Sequence, residues 1–88
     1  MRLEETAAGE VIKRLRRVEG QLAGIARMIE DGRDCGDVVL QLAAASKALD
    51  RAGFRLVASG MRQCLSDDLP AGERMTTDQM EKLFLALA

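Results

Sequence analysis

Two long stretches of the sequence repeat apolar residues at alternating intervals of three and four, and this spacing limits the possible folds more than any other feature. In the first stretch these positions are Ala8, Val11, Leu15, Val18, Leu22, Ile25 and Ile29. In the second they are Cys35, Val38, Leu42, Ala45, Leu49, Ala52 and Leu56. A heptad spacing of this kind places one apolar stripe along a helix, which then packs steadily along a partner helix. The sequence therefore predicts two long helices, each with an apolar seam.

Local signals predict where these helices begin and end. The first helix is expected from about Glu5 to Asp31, with Gly32 as its C-terminal stop. The second is expected from Asp34, a favourable N-cap residue, to about Leu65. A loop over residues 66–72 and a short third helix from about Thr77 to Leu87 complete the chain.

Composition supports an all-α fold in a single domain spanning residues 1–88. Aromatic residues make up 2% of the chain and proline occurs once, which favours uninterrupted helices over strands. A lone hairpin of two such helices leaves part of each seam in water, and a chain of 88 residues has little other core. We therefore expect a homodimer, in which two hairpins form a four-helix bundle.

The sequence also limits the location and the chemistry of the protein. Its first residues are charged, and no apolar run is long enough to span a membrane, so a cytoplasmic protein is expected. Two cysteines in that compartment are more often reactive, metal-binding or buried than joined in a permanent disulfide. The chain contains no histidine and no pair of cysteines two residues apart, which disfavours a zinc site. No enzymatic activity, metal site or cofactor is predicted.

The two cysteines share one face of the second helix but lie far apart along it. Cys35 and Cys64 are 29 residues apart, about 20° past eight full turns and roughly 43 Å along a continuous helix. A disulfide requires Cα atoms within about 7 Å. If two copies of this helix pair antiparallel about an axis near residues 49 and 50, Cys35 lies opposite Cys64 of the partner subunit. The spacing alone fits equally well with two small core residues.

Basic residues concentrate in the middle of a chain whose net charge is −1. Lys13 and Arg17 are four residues apart and flank Arg14, and a second ridge with the same spacing contains Lys47, Arg51 and Arg55. Such ridges are able to contact DNA phosphates in a salt-dependent manner, although solvated charged faces are common. No helix-turn-helix spacing is evident.

Several short segments resemble the copper-sensitive operon repressor (CsoR) family. They are Arg14–Gln21, Gly24, Met28–Glu30, Cys35, Asp37–Val38, Gln41 and Lys47–Leu49. The resemblance implies a dimer of antiparallel hairpins, a dimer-of-dimers homotetramer, and binding of operator double-stranded DNA that an effector between subunits reverses. It places Arg14 and Arg51 at DNA-contact positions, with Lys13, Arg17, Lys47 and Arg55 as helpers.

One departure from the family pattern bears on the effector. Copper sensors of this family carry a histidine four residues before the second cysteine, where this chain has Gly60. The chain therefore looks like the persulfide-sensing branch, the CsoR-like sulfurtransferase repressors (CstR), in which reactive sulfur species link the two thiols. Cys35 is the expected first-modified thiol and Cys64 the resolving one. Two alternatives remain: a Cu(I) sensor using both thiolates with Met61, and a helical interaction protein that does not bind DNA and has structural cysteines.

Overall fold

The computed structural model describes residues 5–64, 72 and 76–88, and the chain forms three α-helices there with no strand among them. These are α1 (Glu5–Glu30), α2 (Cys35–Cys64) and α3 (Thr77–Leu87). The predicted all-α subunit of three helices is thus confirmed. The predicted loop over 66–72 lies outside the described residues except for Gly72. No helix in the described part of the chain is long and apolar enough to cross a membrane.

The turn between α1 and α2 is held by backbone hydrogen bonds and a capping side chain. Gly32 has a φ of 71°, which favours glycine, and the N–H of Arg33 donates to the carbonyl of Met28 at 2.9 Å. A carboxylate oxygen of Asp34 then accepts from the N–H of Gly36 at 2.9 Å. The first contacts end α1 and the Asp34 cap begins α2. Because both helix ends are set by local contacts, four residues suffice to fold the chain into a hairpin.

The two long helices of the hairpin bury alternate members of their seams against each other. The buried residues of the two seams are Val11, Val18, Ile25, Ala45 and Ala52. The intervening members remain exposed: Leu15, Leu22, Ile29, Leu42, Leu49 and Leu56. Small alanines on α2 leave room for the larger side chains of α1. The hairpin core therefore buries only half of each heptad pattern, and the larger leucines remain partly exposed to solvent.

The short helix α3 packs against α2. The rings of Phe54 and Phe84 lie 5.5 Å apart between centroids and are tilted by 55°. A Cβ added to Gly53 would lie 2.8 Å from a terminal methyl of Leu87, so the absent side chain lets α3 approach. Met80 is buried, and a capping box with Thr76 opens the helix. The helix α3 thereby covers the face of α2 around Gly53 and Phe54.

Candidate functional site

The two sides of the α1–α2 seam differ in chemistry. One side holds an open cavity of about 380 Å³ lined by Arg14, Arg51, Phe54, Arg55 and Ala58, which we call the basic cavity. The other side holds an open groove of about 490 Å³. We call this the apolar groove, because most of its lining is apolar: Ile12, Leu15, Val18, Leu22 and Leu49, together with the charged Arg16 and Glu19. The subunit therefore presents a cationic face and an apolar face on opposite sides of one helix pair.

The basic cavity brings together three of the predicted DNA-contact residues. Arg14 comes from α1, whereas Arg51 and Arg55 come from successive turns of α2. The remaining predicted contacts, Lys13, Arg17 and Lys47, are exposed but do not line the cavity. An arginine fork matches the geometry of a phosphate, so this convergence of guanidinium groups is suited to an anion.

One carboxylate, that of Glu10, engages two of these arginines. Its Oε1 atom accepts from Nε of Arg55 at 2.9 Å and also from Nη2 of the same side chain, while Nη2 of Arg14 lies 3.7 Å away. The Arg55 hydrogen bond, more than the Coulombic effect of Arg55 and Arg14, lowers the pKa of Glu10 below its ordinary 4.5 against an opposing desolvation effect. Sequence reasoning missed Glu10. Its i, i+4 spacing to Arg14 was visible, but Arg55 lies 45 residues away.

The lowered pKa of Glu10 leads to a pH-dependent stability prediction. A carboxylate with a lowered folded-state pKa stabilises the fold above its unfolded pKa, and this contribution is lost as the pH falls through the folded value. Because the pair is exposed to solvent, the variant Glu10→Gln should unfold at only a slightly lower temperature than the wild type at pH 7, and this small difference should shrink below about pH 4.5. Thermal unfolding followed by circular dichroism at both pH values measures this. A difference that persists unchanged at low pH contradicts the prediction.

The two cysteines lie at opposite ends of one continuous helix. Cys35 is the first residue of α2, exposed and unpaired, and Cys64 is the last. A helix of 30 residues separates these positions by roughly 43 Å, far more than a disulfide can span. The predicted separation within one subunit is thus confirmed. The side chain of Cys64 lies outside the described part of the structure, and its pairing with Cys35 of a partner subunit remains a prediction.

Cys35 continues the uncovered apolar stripe of α2. It precedes Leu42 and Leu49 by seven and fourteen residues, which places all three within about 40° on the helix surface. All three are exposed in the subunit. A helix that covers Leu42 and Leu49 along this stripe therefore also passes close to Cys35.

The fold and these sites define a small α-helical protein with an arginine-lined face, an exposed apolar stripe and a cysteine residue at each end of one helix. The chain belongs to the metal-sensitive transcriptional repressor family, whose model matches residues 8–87. The members of this family are transcriptional repressors and not enzymes.

The relatives of this chain agree with that family. A copper-sensing transcriptional repressor, RicR, of Mycobacterium tuberculosis is 43% identical over 60 residues, covering 68% of this chain and 62% of its own. The copper-sensing repressor CsoR of Bacillus subtilis is 31% identical over 64 residues, covering 73% and 63%. The chain thus spans less than two thirds of either relative. No solved structure gives a significant match. The predicted family is confirmed at this level.

Proposed function

We propose that this protein is a transcriptional repressor that binds operator DNA through the basic cavity and the lysines and arginines around it. An effector that joins Cys35 of one subunit to Cys64 of the partner subunit releases the DNA. The observation that carries this proposal is the position of the two thiols at the first and last residues of one continuous helix. Since they cannot meet within a subunit, any chemistry that joins them acts on the assembly.

The proposed assembly follows from the uncovered half of the seams. Antiparallel pairing of two α2 helices about residues 49 and 50 covers Leu42, Leu49 and Leu56 and sets each Cys35 opposite Cys64 of the partner subunit. The resulting homodimer is a four-helix bundle with two equivalent thiol sites, one near each end. Family resemblance supports a further dimer of dimers. A covalent link at each thiol site then favours one arrangement of the subunits. In that arrangement the basic faces no longer fit DNA, so the affinity for DNA falls.

We propose reactive sulfur species as the effector. A persulfide or polysulfide donor transfers a sulfane sulfur to the Cys35 thiolate, which becomes a persulfide while the donor leaves as a thiolate or a shorter polysulfide. The thiolate of Cys64 of the partner subunit then attacks the Cys35 sulfur, forming a disulfide and expelling hydrosulfide. If Cys35 carries a longer sulfur chain, attack on an inner sulfur of that chain leaves a tri- or polysulfide bridge and expels the terminal sulfur as hydrosulfide. The donor is the oxidant in both cases. The absence of histidine favours this chemistry over the Cys-His-Cys copper site that the family resemblance describes.

Cu(I) is the second candidate effector, and the copper-sensing relatives are the observation that favours it. Thiolate and thioether sulfurs are ligands that select Cu(I). Cys35 and Cys64 of the partner subunit supply two thiolates, and exposed Met61 lies three residues before Cys64. Gly60, which stands at the position of the copper sensors' histidine, is buried and has no side chain to donate. The donor set therefore fits a site made of sulfur ligands alone.

An electrophoretic mobility shift experiment with the DNA upstream of the protein's own gene tests the repressor function. We expect specific binding that weakens steeply with salt. If the reduced protein shows no preference for this DNA over a random duplex, the chain is instead a helical interaction protein with structural cysteines.

The same DNA complex distinguishes the two effectors. Treatment with sodium tetrasulfide should release the DNA, and intact-mass spectrometry should show a covalent dimer retaining zero or more additional sulfur atoms. Stoichiometric Cu(I) under anaerobic conditions should leave the complex intact. Release by Cu(I) without a covalent dimer, combined with no response to tetrasulfide, would replace persulfide by copper as the effector.

A further inference from the structure

We propose that the Glu10 carboxylate is an internal competitor for DNA phosphate. In the free protein it pairs with Arg14 and Arg55, two of the three arginines that line the basic cavity, and a phosphate group entering the cavity displaces it. This inference rests on the proposed DNA-binding function, which it deepens by assigning a regulatory role to an acidic residue that pairs with the arginines of the cationic face.

The contacts of Glu10 are of the kind that a phosphate would make. The Arg55 guanidinium directs two N–H groups at one carboxylate oxygen of Glu10, and Arg14 approaches the same oxygen from α1. A phosphodiester carries one negative charge on two unesterified oxygens and accepts the same paired donors. Since the Arg55 donors cannot serve both anions at once, binding of one displaces the other.

The cavity contains cationic donors that Glu10 leaves unused. Arg51 lines the cavity, yet none of the ion pairs of the described residues engages its guanidinium. An anion larger than a carboxylate would therefore find additional donors. When a phosphate replaces the Glu10 carboxylate in the cavity, more arginines contact the bound negative charge.

The exposure of the pair favours exchange over a fixed structural role. The side chains of Glu10 and Arg55 remain 42% and 45% exposed, respectively. An ion pair this accessible to water contributes little to stability, so its opening on DNA binding costs little. A buried pair would instead resist opening, because each charge would be left without its partner.

Removal of the Glu10 charge should therefore tighten DNA binding. Fluorescence anisotropy at fixed salt, with the operator duplex and with a random duplex of equal length, compares the wild type with Glu10→Gln. We expect a roughly three- to tenfold gain in affinity for both duplexes, since two or more subunits each lose one exposed competitor. Unchanged binding by Glu10→Gln overturns the proposal. Weaker binding overturns it as well, because it would show that Glu10 positions the arginines for DNA.

A matched control separates this effect from a general change in charge. Glu19 forms an exposed pair with Arg16 at 2.9 Å, and both residues line the apolar groove, whereas the arginines that pair with Glu10 line the basic cavity. The variant Glu19→Gln thus removes the same charge and frees an arginine elsewhere, and its affinity should stay within about twofold of the wild type. An equal gain in both variants overturns the proposal. Light scattering first verifies that both variants keep the wild-type mass.

A double variant tests whether the gain depends on Arg55. In the background of Arg55→Gln, addition of Glu10→Gln should change affinity by less than half of its effect in the wild type, on a logarithmic scale. A gain that persists in full overturns the proposal. The random duplex separates this inference from the proposed function. If Glu10→Gln binds both duplexes more tightly but neither protein prefers the operator, the role of Glu10 is supported and the repressor function is refuted. If wild type and Glu10→Gln bind neither duplex at low salt, both are refuted.

Discussion

Replacement of Cys35 by serine should leave operator binding within about twofold of the wild type and abolish its release by tetrasulfide. Cys35 is exposed in the subunit, so the change of one atom removes no core contact. A serine hydroxyl accepts no sulfane sulfur and forms no bridge to Cys64 of the partner subunit. In the wild type, tetrasulfide should weaken DNA affinity by about 5- to 150-fold, a typical range for coupling between two sites. Anisotropy titrations with and without tetrasulfide measure both quantities.

A mixing experiment tests whether the bridge joins two subunits. The variants Cys35→Ser and Cys64→Ser should each fail to crosslink alone, because each lacks one member of every site. A mixed dimer of the two variants retains one complete site, with Cys35 from one chain and Cys64 from the other. After refolding together and treatment with tetrasulfide, a covalent dimer should appear on a non-reducing gel. Crosslinking by either variant alone contradicts this pairing.

The helices and the turn between them could be predicted because their signals are local. Gly32 and Asp34 act through bonds to atoms within five residues, and both roles were readable from residue type and position. The α1 end at Glu30 differs by one residue from the expected Asp31. Helix ends fray and are defined only to within a residue or two, so the difference carries no structural consequence.

The spacing could not predict which residues of each apolar seam are buried within the hairpin and which remain exposed. The heptad pattern marks Leu49 and Ala52 alike as apolar, yet Ala52 is 2% exposed and Leu49 is 50% exposed. The choice depends on which side of α2 meets α1, a property of the tertiary packing. The same limit applies to Glu10. Its neighbour Arg14 is one helical turn away, but Arg55 reaches it only because the hairpin aligns the two helices.

Replacement of Leu49 by glutamate should break the dimer. Leu49 lines the apolar groove close to the proposed two-fold axis, so each dimer would bury two carboxylates near each other. Burial of an unpaired charge and repulsion between like charges together should weaken association by about 100-fold or more. Sedimentation velocity across a concentration series should then show the mass of a single 9.6 kDa chain where the wild type is an oligomer.

Leu40 provides a matched control on the same helix. It lies nine residues before Leu49, half a turn away around α2, and is 70% exposed. The variant Leu40→Glu introduces the same charge outside the apolar groove and should remain at least dimeric. Leu49→Glu should also lose the tetrasulfide crosslink although both cysteines are intact, because each thiol site requires two subunits. Wild-type mass and crosslinking in Leu49→Glu would show that this face of α2 is not the interface, and the pairing of Cys35 with Cys64 of the partner subunit would then need a different geometry.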